Sequence, residues 1–253
     1  MKLSILGVQI DNLSKPEVLK KVEYFLDSDK QHYIVTPNPE FLVAAQKDEE
    51  FKNILNNADL AIPDGFGLKI ASRILHKQKI NRFAGVDLMI KICELATKKN
   101  KSIYLFGAGE SVAQKTAKEL KKQFPKLKIA GAESGGKISN FQFLISNTDL
   151  NKSSNLAKIK QADPDILFIA LGQVKQEKWI AQNLPKLPSI RLAIGIGGSF
   201  DYISKKTPRA PKFLRILGLE WLFRLILQPK RIKRIWNAVV VFIWLILKQK
   251  LTK

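Results

Sequence analysis

Cysteine is almost absent from this chain. The single Cys93 excludes any internal disulfide. Its neighbours Val86, Leu88, Met89, Ile92 and Leu95 mark it as a small core hydrophobe rather than a reactive thiol. Histidine is scarce too: His32 and His76 stand far apart, and no Cys/His spacing suited to zinc or an iron–sulfur cluster occurs. Long apolar runs are missing. The longest, residues 235–247, falls short of the ~20 residues needed to cross a bilayer. The apolar stretch 3–10 is broken by Ser4, Gly7 and Gln9 and followed by Asp11, which is not a signal-peptide pattern. The expected location is therefore cytoplasmic. Acids are outnumbered, 22 Asp and Glu against 43 Lys and Arg, for a formal net charge of +21.

What is present has an order. Through residue 204, short apolar runs alternate with helical patterns. Strands are expected at residues 33–36, 58–62, 103–106, 128–132, 166–171 and 192–196. Ser14 and Glu17 form a capping box ahead of a stripe of Val18, Leu19, Val22, Phe25 and Leu26. Another helix carries Val112, Ala113, Thr116, Ala117 and Leu120 and stops near Pro125. Continuous apolar strands separated by helices predict an α/β fold: a Rossmann-like, mostly parallel sheet with helices on both faces. Ligands of such sheets bind beyond the carboxyl ends of the strands. Those ends carry TPN, PDG, GAGE, GQVKQE and GIGGSFD.

Composition changes near residue 205, giving two expected domains: a catalytic domain, 1–204, and a basic, Trp/Leu-rich helical appendage, 205–253. The appendage holds thirteen Lys or Arg and one acid, Glu220. Pro229 divides it into two expected helices. Trp221, Trp236 and Trp244 among Leu, Ile and Val suit a helix lying in an anionic membrane interface. Nucleic-acid binding calls for fewer bulky aliphatic neighbours, and no nucleic-acid partner is expected. A tail of this pattern is also compatible with a homo-oligomer.

Several stretches can carry chemistry. Gly107 and Gly109 follow a strand and precede a helix, where backbone N–H groups can cradle phosphate; position 112, a third glycine in the full dinucleotide pattern, is Val112. Glu133 ends the next strand, a place for ribose hydroxyls. Gly172, Lys175, Gln176 and Glu177 open a helix after the most apolar strand, within reach of a diphosphate. Thr36, Asn38 and Asp64 stand at two other strand ends. They suit sugar binding and, for the carboxylate, general-base work, and equally suit turns. Asp163-Pro164-Asp165 imitates a metal-binding Asp-x-Asp but precedes its strand and reads as a turn. Arg224, Arg231 and Arg234 could offset charge on a leaving diphosphate. Two rival readings stay open: a nicotinamide-dependent oxidoreductase, from GAG plus Glu133, and a basic nucleic-acid-binding protein.

Taken in order, TPNPE (36–40), ADLAIPDG (58–65), Arg82 with GVDL (85–88), YLFGAGE (104–110), PDILFIALG (164–172), KQEKW (175–179), GIGGSFD (195–201), RAP (209–211), LEWLFRL (219–225) and QPKRIKR (228–234) resemble the WecG/TagA/CpsF glycosyltransferase family, glycosyltransferase family 26. The resemblance covers nearly the whole chain. It implies inverting, metal-independent transfer of an N-acetylmannosamine-type sugar from a UDP-sugar donor to a polyprenyl-diphosphate-linked N-acetylglucosamine acceptor. No cofactor and no metal are implied, and the enzyme would sit peripherally at the inner face of the cell membrane. Asp64 would be the general base and Thr36, Asn38 and Arg82 site residues around it. Gln176 would lie near the donor, and Arg224, Arg231 and Arg234 would close over the site. One departure stands out: the family's usual proline before KQE is Val174 here.

Overall fold

The computed structural model describes residues 1–135 and 150–252. Among these the chain forms eight strands: β1 (Lys2–Ile5), β2 (Val8–Asp11), β3 (His32–Val35), β4 (Leu60–Ala61), β5 (Ser102–Gly107), β6 (Lys128–Glu133), β7 (Ile166–Ala170) and β8 (Leu192–Gly195). It divides into two compact units. The first gathers residues 1–14, 36–84 and 208–253; the second gathers 15–35 and 85–207. The change of composition read near residue 205 lies close to 207/208, where the chain passes from the second unit to the first.

In the second unit five parallel strands stand in the order β3-β8-β7-β5-β6. The expected α/β, Rossmann-like arrangement is what the chain adopts. β7 and β8 are buried at every position, as their unbroken apolar sequences ILFIA and LAIG require of strands covered on both faces. β6, KIAGAE, buries no position fully, with Lys128 and Ala130 exposed and the rest half-buried, and ends the row. Helices Lys15–Asp27, Gly85–Lys98, Val112–Gln123, Leu150–Ala162, Lys175–Asn183 and Ser199–Ile203 complete the unit. Trp179 and Ile180 join Phe106, Leu167 and Ile169 in one cluster, with the Trp179 and Phe106 ring centroids 5.2 Å apart. Cys93 is fully buried, and desolvation drives its thiol pKa far upward, which makes it inert.

Asp165 shows what the Asp-Pro-Asp stretch does. It precedes β7 and accepts from Ser102 N–H (2.8 Å), Ser102 Oγ (2.9 Å) and Lys101 Nζ (2.9 Å). Burial works against its charge, but the bonds from Ser102 and Lys101 outweigh it and hold the carboxyl below its ordinary range. It stitches two strand starts together, and Asp163 (φ 48°) makes the turn.

The first unit opens with an antiparallel hairpin, β1–β2, turned by Leu6 and Gly7, both at positive φ as a two-residue primed turn demands. Leu3, Ile5, Val8 and Ile10 are buried. Asp11 Oδ2 accepts from Ala61 N–H at 2.9 Å and ties β4 to this hairpin. Helix Pro39–Ala45 begins at an Asn38 cap with proline in its first turn, and helix Glu49–Asn56 begins at an Asp48 cap. Helix Phe66–His76 follows.

The tail differs from expectation before Pro229. Instead of one helix there are two short ones, Lys212–Leu217 and Glu220–Leu227, separated where Gly218 takes φ 77°. After Pro229 the run is continuous: a 3-10 turn, helix Ile232–Trp236, a π turn over Asn237–Val241, and helix Phe242–Leu251. Phe242 and Ile246, one turn apart, are completely buried, and their helix packs on Phe66–His76 and Pro39–Ala45. The last helix thus contributes Phe242 and Ile246 to the first unit's core, while helices Lys212–Leu217, Glu220–Leu227 and Ile232–Trp236 bury no residue. No helix among the described residues is long and apolar enough to cross a membrane.

Candidate active site

Asp64 sits in the loop between β4 and helix Phe66–His76. Its N–H donates to Pro37 O at 2.8 Å, and its Oδ1 accepts from Gly65 N–H at 2.7 Å. The carboxylate is about one-third exposed. Phe83 N–H donates to Pro63 O at 3.1 Å, which brings Arg82 to the same place. The Arg82 Nε lies 3.8 Å from Asp64 Oδ1, and its Nη2 lies 3.3 Å from Glu220 Oε2. Thr36 is buried just after β3. The Oδ1 of Asn38 is committed to Phe41 N–H at 3.1 Å, so part of this residue's work is capping.

The tail arginines are held by specific partners. Arg234 grips Glu40 with two bonds, Nε to Oε1 at 2.8 Å and Nη2 to Oε2 at 3.0 Å; such forked pairing fixes geometry as well as charge. Arg231 Nη1 donates to Gln228 Oε1 at 3.2 Å. Arg224 lies on helix Glu220–Leu227 with its Nε buried. All seven residues expected to perform the chemistry, Thr36, Asn38, Asp64, Arg82, Arg224, Arg231 and Arg234, fall in the first unit. Glu40 and Glu220, to which the sequence reading gave no role, join them. The available signals were Glu220's isolation among tail cations and Glu40's place inside TPNPE.

The residues expected to bind the nucleotide, Gly107, Gly109, Glu133, Gly172, Lys175, Gln176 and Glu177, all fall in the second unit. Gly107 (φ 114°) lies so close to the end of β7 that a Cβ would stand 2.7 Å from the Ala170 carbonyl, and Ala108 N–H donates to Ala170 O at 2.7 Å. Gly109 lies beside Lys206. Glu133 is met by Lys158 Nζ at 3.4 Å, at a recess of about 240 Å³ that Tyr104, Gly131 and Gln161 also line. Burial, and then the Glu133 charge, push the Tyr104 hydroxyl up to about 12. Gly172 (φ 87°) ends in open space.

Gln176 and Glu177 are both buried. Gln176 Oε1 accepts from Gly197 N–H at 3.0 Å, and its Nε2 donates to Glu177 Oε1 at 2.7 Å. The amide thus links two strand-end turns. Burial pushes the Glu177 carboxyl up to about 7, with the Gln176 amide and the N–H groups of Glu177 and Val174 pulling the other way. That reach from the third helical residue back to the N–H of the cap residue Val174 supplies half of a capping box, since Val174 offers no side-chain cap. Val174 itself stands at φ 69°, which a proline ring fixed near −65° cannot adopt. The loop therefore has a shape of its own. Among the described residues no group of three or more His, Cys, Asp or Glu is arranged to hold a metal ion.

Residues 3–253 match the family model described as "Glycosyl transferase WecG/TagA/CpsF family". Among similar proteins, one of Bacillus subtilis (strain 168) is 35% identical over 227 residues, covering 87% of this chain and 84% of the relative. One of Bacillus spizizenii is 33% identical, covering 83% and 77%. One of Staphylococcus aureus (strain NCTC 8325) is 29% identical, covering 98% and 93%. Each of the three is named an N-acetylglucosaminyldiphosphoundecaprenol N-acetyl-beta-D-mannosaminyltransferase.

Proposed function

The chain belongs to the WecG/TagA/CpsF glycosyltransferase family, and from that premise we propose that it moves an N-acetylmannosamine-type sugar from UDP to N-acetylglucosamine on a polyprenyl diphosphate. The relatives' names support both the sugar and the lipid-linked acceptor. The product is a linkage unit for teichoic acid or a related cell-surface polysaccharide.

The observation that supports the mechanism is the pairing of Asp64 with Arg82, in the same compact unit as the three tail arginines. In a single inverting displacement, Asp64 takes the acceptor hydroxyl's proton as that oxygen attacks the anomeric carbon. The bond from the anomeric carbon to the donor's diphosphate oxygen breaks, and UDP departs. Negative charge then grows on its β-phosphate, where Arg224, Arg231 and Arg234 do the work a divalent cation does elsewhere. Thr36 and Asn38 orient the sugar. The glycine turns at 107–109 and 172, with Lys175, bind the nucleotide part of the donor.

Location follows from the tail. Phe213, Ile216, Ile226, Trp236, Trp244 and Leu251 are each more than half exposed, among lysines and arginines. This mixture suits peripheral binding to anionic lipid, where the acceptor lies.

The test is transfer by the purified full chain from a panel of UDP-sugars to a GlcNAc-diphosphate-lipid analogue, in EDTA. Asp64→Asn should lose at least ~10²-fold in rate while UDP still raises its melting temperature. Turnover by that variant near the parent rate, or loss of parent activity in EDTA, would overturn the mechanism.

A further inference from the structure

Glu220 is the sole acid from residue 205 onward, surrounded in sequence by thirteen Lys or Arg. Charge alone would turn it to its nearest tail neighbours. Instead its Oε2 meets Arg82 Nη2, 138 positions earlier in the chain, at 3.3 Å. Both side chains are mostly covered, 17% exposed for Arg82 and 26% for Glu220, so the pair is less screened than an exposed surface bridge. Two residues before it, Gly218 (φ 77°) rests where any Cβ would run into the ring of Phe66. Phe66 is two residues beyond Asp64. The 218–220 turn is therefore held by two contacts near Asp64 in the first unit, bare backbone against the Phe66 ring and an ion pair to Arg82. Arg224 lies four residues past Glu220, on the same face of helix Glu220–Leu227.

We propose that Glu220 is a positioning residue for sugar transfer: it holds one end of the Arg82 guanidinium while the other faces Asp64, and it sets the rotation of the helix that carries Arg224. This rests on Asp64 being the base. Glu220 itself touches neither substrate. Its effect passes through Arg82, and it couples correct seating of the tail to the arrangement of the site. The tail's single negative charge is thus the register mark of an otherwise cationic segment.

The test uses the full chain and compares Glu220→Gln, Glu220→Asp, Arg82→Lys and the Glu220→Gln/Arg82→Lys double variant. Glu220→Gln keeps the shape and loses the charge. It should lower kcat by roughly 10- to 100-fold, the cost of a small misplacement, with KM for donor and acceptor changed less than about 3-fold. Glu220→Asp should recover part of the rate. The double variant should be no slower than Arg82→Lys alone, because both changes break one interaction. Hydrogen exchange, measured in parallel without substrate, should quicken across 219–227 in Glu220→Gln. An unchanged kcat, strictly multiplicative effects, or unaltered exchange in that segment would each overturn the proposal. A parent protein that transfers no N-acetylmannosamine would sink the functional reading instead, and the exchange measurement would still decide whether Glu220 seats the tail.

Discussion

Glu177 Oε1 accepts a 2.7 Å hydrogen bond from Gln176 Nε2 with both side chains closed off from solvent. Burial raises this carboxyl from an ordinary 4.5 to about 7, so between those values the folded chain binds its proton more tightly than the unfolded chain does. Stability is therefore lost as pH rises through that window. Glu177→Gln keeps the size and an acceptor oxygen but cannot titrate. In urea denaturation the parent should lose roughly 2 to 3 kcal/mol relative to the variant between pH 5 and 8. Parallel pH–stability curves would contradict this.

Gly195 ends β8 directly beneath that pair. A Cβ there would stand 2.6 Å from Glu177 Oε1 and 2.7 Å from Gln176 Nε2. Gly195→Ala should therefore cost ~1–3 kcal/mol as overpacking. It should also reduce transfer by more than the stability loss explains, because the Gln176 amide must shift. Kinetics taken well below the melting temperature separate the two effects.

Phe242 and Trp244 stand two residues apart on one helix, 0% and 59% exposed. Phe242→Ala should destabilise by ~3–5 kcal/mol, while Trp244→Ala should stay within about 0.5 kcal/mol. Flotation with anionic vesicles should show the reverse, with Trp244→Ala binding less. Equal thermal effects would mean that the tail is not anchored as described.

Val174 holds a β-branched side chain at φ 69°, a conformation costing ~1–3 kcal/mol. Val174→Gly should raise the melting temperature or leave it unchanged. Val174→Pro, restoring the family's usual residue, should lower it, since the ring would force the loop into another course. A more stable proline variant would show that the loop has a second good conformation.

The sheet was legible because its strands are continuously apolar and end in glycine turns; Ile166–Ala170 and Leu192–Gly195 could hardly be anything else. The hairpin was missed because Leu3 to Ile10 looked like one broken run, and only the paired positive φ values at Leu6 and Gly7 reveal the reversal. The break at Gly218 was hidden for a related reason. A lone glycine in a helical pattern is tolerated as often as it terminates, and here the Phe66 ring decides. The residues expected to react were named from motif order, yet their partners were not. Glu40 and Glu220 meet arginines 194 and 138 positions away, and no local pattern encodes such distances. The anchoring role of Phe242 and Ile246 was equally concealed, because the outward face of their helix is apolar as well.

Leu6 N–H donates to Gln249 Oε1 at 3.1 Å across a sequence separation of 243, and Phe242 closes the same unit. During synthesis at ~5–20 residues per second, the hairpin and the Asp64 loop emerge on the order of 10 to 40 s before these last partners leave the ribosome. Through that interval the seat for Phe242 lies open, a natural client for chaperones. A chain that stops before Phe242 would leave that seat empty, so closure of the first unit's core waits on the segment that carries Phe242 and Ile246.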